Sequence, residues 1–216
     1  MISKKFKSVI GLALVVALFM IASYLVQKNS GFFYSYLNMG GFGMVLFVFI
    51  MILSIVIAPV SSMPLLPIAS GMWSWQIAGI LSIIGWTIGA VIAFLLAREY
   101  GVNLVGKVLP MDKISKFENK IPKENLFLTV VLLRMTIPVD GLSYLLGLFS
   151  KMSLRSYTLA TIIGITPFAF IFAYMGILPI YYQIIFAGIG ILIFSAGLTI
   201  AYYRNLRRTK NKFKKR

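Results

Sequence analysis

Residues Arg134 to Gly147, RMTIPVDGLSYLLG, decide how this chain is read. An arginine opens the stretch and an aspartate follows six residues later, inside a segment otherwise as apolar as a membrane helix. On one continuous helix that spacing puts Arg134 and Asp140 on different sides. Pro138 has no N–H to donate and Gly141 tolerates left-handed backbone, so a break between them lets the chain fold back and brings the carboxylate toward the guanidinium. An arginine at the centre of a lipid-facing helix costs about 2.5–3.5 kcal/mol on insertion scales. Arg134 is therefore expected to face protein or water, and the stretch predicts a broken helical hairpin.

The surroundings are those of a membrane protein. Of 216 residues 60% are hydrophobic and five are acidic, far from the balance of a soluble domain. No charge occurs in the 69 residues between Lys28 and Arg98, nor in the 48 between Arg155 and Arg204. One span needs only about 20 residues, so several spans are expected. The apolar blocks are 9–26, 42–58, 76–97, 126–150, 153–175 and 181–203. The first, 18 residues long and followed by no small-residue cleavage pattern, reads as a retained span rather than a signal peptide.

Charge placement chooses between two paths. Six plain crossings with the N-terminus inside would leave Arg98, Lys107, Lys113, Lys116, Lys120 and Lys123 outside, against the positive-inside tendency. If 42–71 instead enters from outside and returns as a re-entrant hairpin, and 126–150 does the same from inside, all basic residues but Lys28 and Arg134 face the cytoplasm. The turn of the first hairpin, APVSSMPLLPIASG, suits that path: Pro59, Pro64 and Pro67 disfavour helix before them, Ser61, Ser62 and Ser70 offer substitute hydrogen bonds, and Gly71 closes the motif. Broken backbone at membrane depth belongs in protein or beside a wet cavity. A simple extramembrane loop is the alternative. Residues 111–124, MDKISKFENKIPKE, fit a short interfacial helix or an ordinary linker.

SIIGWTIGAVIAF (82–94) and TIIGITPFAFIFA (161–173) agree at six of thirteen positions, and each follows an apolar block interrupted by Pro and Gly. Each half is then a broken hairpin followed by a full span, the spans running in opposite directions. The expected fold class is an all-α polytopic membrane protein with four full spans and two re-entrant hairpins in an inverted repeat. Such repeats build transporter sites near the midplane from discontinuous segments. The division follows: 1–39 as cytoplasmic tail and first span, 40–180 as core with halves 40–101 and 126–176, and 181–216 as last span and basic tail.

The candidate substrate-binding residues are Arg134, Asp140, Ser61 and Ser62, with Pro59, Pro64, Pro67, Gly71, Pro138 and Gly141 keeping the hairpins broken. A guanidinium fork suits a phosphate in two-point contact; Asp140 balances or gates it, or carries a proton. Mutual neutralisation that merely fixes the hairpin is the structural alternative. Gly85 and Gly89 read as close helix packing, and Trp73 and Trp75 as interfacial anchors. With no cysteine and no histidine, disulfides, thiol nucleophiles and the usual zinc sites are excluded. No metal, cofactor, catalytic residue or enzymatic activity is expected. The net charge of +16 lies largely in the tail RNLRRTKNKFKKR, which beside a span marks the cytoplasmic face and meets anionic lipid headgroups rather than nucleic acid.

The segments PVSSMPLLPIASGMWSWQIAGILSIIGWTIGAVIAFLLAREYG and RMTIPVDGLSYLLGLFSKMSLRSYTLATIIGITPFAFIFAYMG together resemble the DedA superfamily, also called the SNARE-associated Golgi protein or VTT-domain family, over roughly 40–176. The likeness rests on Arg134 and Pro138, on the glycines Gly71, Gly85, Gly89 and Gly101, and on SYLLGLFSKMS. It implies two re-entrant hairpins in inverted repeat, residence in a bacterial cytoplasmic membrane or a eukaryotic endomembrane, and movement of lipid between leaflets. Better-studied members carry acidic residues in the first hairpin; this chain has none there, so proton coupling through that hairpin is not implied. The expected function is a flippase or scramblase for a phosphate-bearing lipid such as a phospholipid or undecaprenyl phosphate, passive or ion-coupled. An ion-coupled small-solute transporter and a membrane scaffold are the alternatives. The sequence leaves the oligomeric state open, a homo-oligomer included.

Overall fold

In the computed structural model the short helices Leu65–Trp73 and Leu142–Phe149 and the start of the helix Trp75–Val108 are bounded by proline, glycine and serine. The structure describes residues 4–29, 40–57, 61–108, 125–136, 141–186 and 188–189. The helices are α1 (Lys4–Lys28), α2 (Gly40–Val56), α3 (Leu65–Trp73), α4 (Trp75–Val108), α5 (Leu126–Thr136), α6 (Leu142–Phe149) and α7 (Leu154–Ile177). No strand occurs among the described residues. Residues Met1–Ile177 form one compact unit and Leu178–Arg216 another. In the second, 180–186 are helical and the Gln183 side-chain amide donates to the Leu178 carbonyl at 2.7 Å. Pro59, Pro138, Asp140, the 111–124 connection and the tail from 204 lie outside the described residues, as does most of the last apolar block.

The short helices α3 and α6 each start at a residue suited to a turn. Pro64 is the N-cap of α3, its ring fixing φ at −62°, while the N–H groups of Leu65 and Leu66 bond the carbonyls of Ser62 and Met63. Pro67 and Gly71 lie within α3 rather than at its break. Proline is tolerated in a first turn, where the N–H has no helical acceptor, and Gly71 receives the side chain of Val26 from α1. Gly141 starts α6 in the left-handed region, φ 83°, at little steric cost for glycine. Ser74 alone separates α3 from α4, at φ 94°; its N–H bonds the Ser70 carbonyl and its Oγ accepts the Ile77 N–H at 3.5 Å.

Two long helices form the centre. Over Trp75–Val102 and Leu154–Ile177, α4 and α7 are long and apolar enough to cross a membrane. They run antiparallel: Gly79 meets Phe170 near one end, and Phe94 stacks on Tyr157 toward the other, ring centroids 4.1 Å apart. Ile80, Ile84 and Ile88 form an exposed stripe on α4, and Phe42, Val45 and Phe49 are exposed on α2. Large apolar side chains turned outward at helical spacing are stable in hydrocarbon and costly in water. Trp73 packs edge-on against Phe47, and Trp75 against Phe170 and Tyr174.

Packing between elements follows the sequence repeat. Helix α2 lies against α4, and α5 against α7, so in each half the helix before the break packs on the long helix after it. The second arms also reach across, α3 packing on α7 and α6 on α4. Gly176 lets the backbone at Pro67 approach α7, and Gly147 brings α6 onto the backbone of α4 at Phe94. Helix α1 joins this unit through α3 and α7, with Ser23 Oγ donating to the Gly176 carbonyl at 2.8 Å.

Candidate functional site

Arg134 sits in the last turn of α5, 2% exposed and therefore fully enclosed in protein. Its backbone is held close to α7 because Gly164 offers no side chain: a Cβ there would lie 2.5 Å from the Arg134 Cβ and 3.0 Å from the Val131 carbonyl oxygen. The guanidinium runs along α7. Its Nη2 donates to Ser143 Oγ at 2.9 Å and to the Tyr157 hydroxyl at 2.6 Å. Tyr157 in turn donates to the Ala90 carbonyl of α4 at 3.2 Å. Arg134 is thus connected to α6, α7 and α4 through two neutral hydroxyls. Hydroxyl acceptors at Nη2 fix the orientation of the guanidinium, and a hydrogen bond is stronger in a low-dielectric interior than in water.

Two contacts hold the hairpins in place around this centre. The Tyr144 hydroxyl of α6 donates to the Val56 carbonyl at the end of α2, at 2.5 Å, so the second hairpin meets the first at its break. Arg98 lies over the Phe94 ring, 4.7 Å from its centroid, and its Nη2 donates to the carbonyls of Ser150 and Met152 at 2.8 and 3.0 Å. Those carbonyls close the C-terminal end of α6, where a cation is electrostatically favoured.

The expected site residues take different places. Arg134 occupies the centre just described. Ser62 is buried and accepts the Trp86 indole N–H at 2.8 Å, while Ser61 is half-buried. Asp140 lies outside the described residues. Ser143 and Tyr144 were within the decisive stretch but carried no pattern that separates them from ordinary helix residues. Tyr157 is 23 positions from Arg134 and Arg98 is 52 from Ser150, and no local spacing links either pair.

The repeat also shows that the centre is one-sided. Aligning 82–94 with 161–173 places Gly85 opposite Gly164. A Cβ at Gly85 would meet the Met51 Cβ at 2.6 Å and the Val48 carbonyl at 3.3 Å, as one at Gly164 would meet Arg134 and Val131. Met51 therefore occupies in the first half the position of Arg134 in the second, and it is fully buried among apolar neighbours.

Comparisons with curated proteins and with solved structures each found no match. The family model of the VTT domain matches residues 58–178, from the break after α2 through the end of α7. The matched residues hold both hairpin breaks, both long helices and Arg134, and since they make up more than half of the chain, this protein belongs to the VTT-domain family, the DedA/SNARE-associated Golgi protein family of membrane proteins associated with transport.

Proposed function

We propose that this protein is a lipid translocase, a flippase or scramblase that carries a phosphate-bearing headgroup between leaflets past Arg134. The observation that carries the reading is a buried guanidinium whose Nη2 bonds two neutral hydroxyls, Ser143 and Tyr157. Guanidinium binds phosphate more strongly than it binds a neutral hydroxyl, because the hydrogen bonds become charge-assisted at both ends. At Nη2 a phosphate therefore forms stronger bonds than the Ser143 and Tyr157 hydroxyls it replaces. Arg134 is enclosed in protein, so admission of a headgroup requires the bonds from Nη2 to Ser143 and Tyr157 to open.

The reading includes a topology in which α2–α3 and α5–α6 are re-entrant hairpins, the halves are inverted, and both termini are cytoplasmic in a bacterial cytoplasmic membrane. The crossed packing of α3 on α7 and α6 on α4 supports the repeat. Asp140 is assigned the counter-charge that leaves Arg134 when phosphate enters. Substrate passes unaltered, with no catalytic residue, metal or cofactor, and anionic lipid is held at the C-terminal tail.

The test is leaflet exchange of fluorescent phosphatidylglycerol, and of a polyprenyl phosphate, in liposomes containing the parent or Arg134→Gln. Loss of a charge-assisted bond is worth about 1.5–3 kcal/mol, so exchange should slow by about ten- to a hundredfold. Parental exchange by a folded, inserted Arg134→Gln protein refutes the assignment.

A further inference from the structure

Thr161 on α7 and Thr87 on α4 are 0% and 8% exposed, and neither hydroxyl has a hydrogen-bond partner. A helical threonine or serine has a ready acceptor in the carbonyl four residues back. Neighbours on the same two helices use it: Ser82 bonds Ala78, Thr158 bonds Leu154 and Thr166 bonds Ile162. Thr161 and Thr87 do not. A buried hydroxyl with nothing to bond destabilises the fold, and each such group in a native structure calls for a reason.

Their positions supply one. The Arg134 side chain starts against Gly164 and ends at the Tyr157 hydroxyl, so it runs along the face of α7 that carries Tyr157, Thr161 and Gly164 at intervals of four and three. Thr161 lies between the two ends of that run. Thr87 is three residues before Ala90, whose carbonyl accepts the Tyr157 hydroxyl. Because α4 and α7 are antiparallel, Thr87 and Thr161 fall on the same side of that bond, at the level of the arginine. Among the described residues the other two unpartnered buried hydroxyls, Ser70 and Ser150, sit at or near the ends of the short helices α3 and α6, not within a turn of an Arg134 partner.

We infer that Thr161, with Thr87 as its counterpart on α4, completes the Arg134 site by donating to an anionic oxygen of the ligand, a phosphate group. This rests on the reading of Arg134 as the phosphate-binding group. A phosphate oxygen accepts from guanidinium and hydroxyl together, and a hydroxyl rotates to suit it. The ligand then removes the penalty that the unpaired hydroxyl imposes on the empty protein, which favours the occupied state.

Thr161→Val keeps the side-chain shape and removes the hydroxyl, whereas Thr161→Ser keeps the hydroxyl. Both are compared with the parent and Arg134→Gln, as full chains in proteoliposomes, by exchange of fluorescent phosphatidylglycerol and by uptake of radiolabelled inorganic phosphate. Thr161→Val should melt no lower than the parent yet move the probe about tenfold more slowly, with Thr161→Ser near the parental rate and Thr87→Val slowed in the same direction. Loss in the lipid arm assigns the phosphate to a headgroup, and loss in the uptake arm assigns it to the free anion. Parental rates in Thr161→Val beside a slow Arg134→Gln overturn the hydroxyl's role and leave the arginine's intact. A Thr161→Val protein that melts well below the parent overturns it too, since the hydroxyl would then be structural. Parental rates in Arg134→Gln, or no movement of either probe by the parent, overturn both.

Discussion

Substituting Gly164 by alanine adds one methyl group where α5 and α7 touch, and the consequence can be worked from the contact itself. The new Cβ would stand 2.5 Å from the Arg134 Cβ and 3.0 Å from the Val131 oxygen. Carbon atoms not bonded to each other rest about 3.5–4.0 Å apart. Both neighbours are fixed to backbone, so no rotamer change relieves the clash and α5 must withdraw by about 1 Å. Overpacking of this kind costs about 1–3 kcal/mol. The same withdrawal takes the 2.6 Å bond from Arg134 to Tyr157 close to the limit of hydrogen bonding. Gly85→Ala is the internal control. Its Cβ would meet the Met51 Cβ at 2.6 Å, a similar clash in the repeat-related place, where no cation is displaced. Thermal unfolding in detergent should show both variants destabilised to a similar extent. Lipid exchange per folded molecule should fall in Gly164→Ala and hold in Gly85→Ala. A Gly164→Ala protein with parental melting and parental exchange would refute the close approach of α5 and α7 on which the placement of Arg134 depends.

Tyr144→Phe leaves the Val56 carbonyl without its donor, and thermal unfolding should show a loss of about 1 kcal/mol or more; unchanged melting would mean that the two hairpins are not joined there. The parent has no cysteine, so Lys116→Cys gives one labelling site, and an impermeant maleimide should reach it only from the cytoplasmic side. Labelling from outside would reject the re-entrant path and restore six plain crossings.

Local chemistry made much of the fold legible. Pro64 caps α3 and Gly141 opens α6, places that suit a ring that fixes φ and a residue without Cβ. The pattern of proline and glycine nevertheless overstated the length of the first break. Pro67 falls in a first helical turn, where a missing N–H costs nothing, and Gly71 serves an approach by Val26 from α1, which is remote in sequence. Gly85 and Gly89 were readable as packing residues, and they are: Met51, Ile52 and Ile55 of α2 fill the space they leave.

At the candidate site, the sequence by itself determined that Arg134 must be buried in protein or bathed in water, because a charge in hydrocarbon has no other inexpensive environment. It also determined the all-helical, apolar character of the chain, through long uncharged blocks and their proline and glycine breaks. Only the tertiary structure decided who receives the guanidinium. Ser143, Tyr157 and, through Tyr157, the Ala90 carbonyl come from three helices, and the contact depends on an interhelical distance that Gly164 permits. It likewise decided that Met51 is the apolar counterpart of Arg134. Hydrophobic periodicity specifies which face of a helix turns inward, but it does not specify the neighbour, because any apolar face can bury any other; partner choice is made by shape and hydrogen bonding when the helices meet.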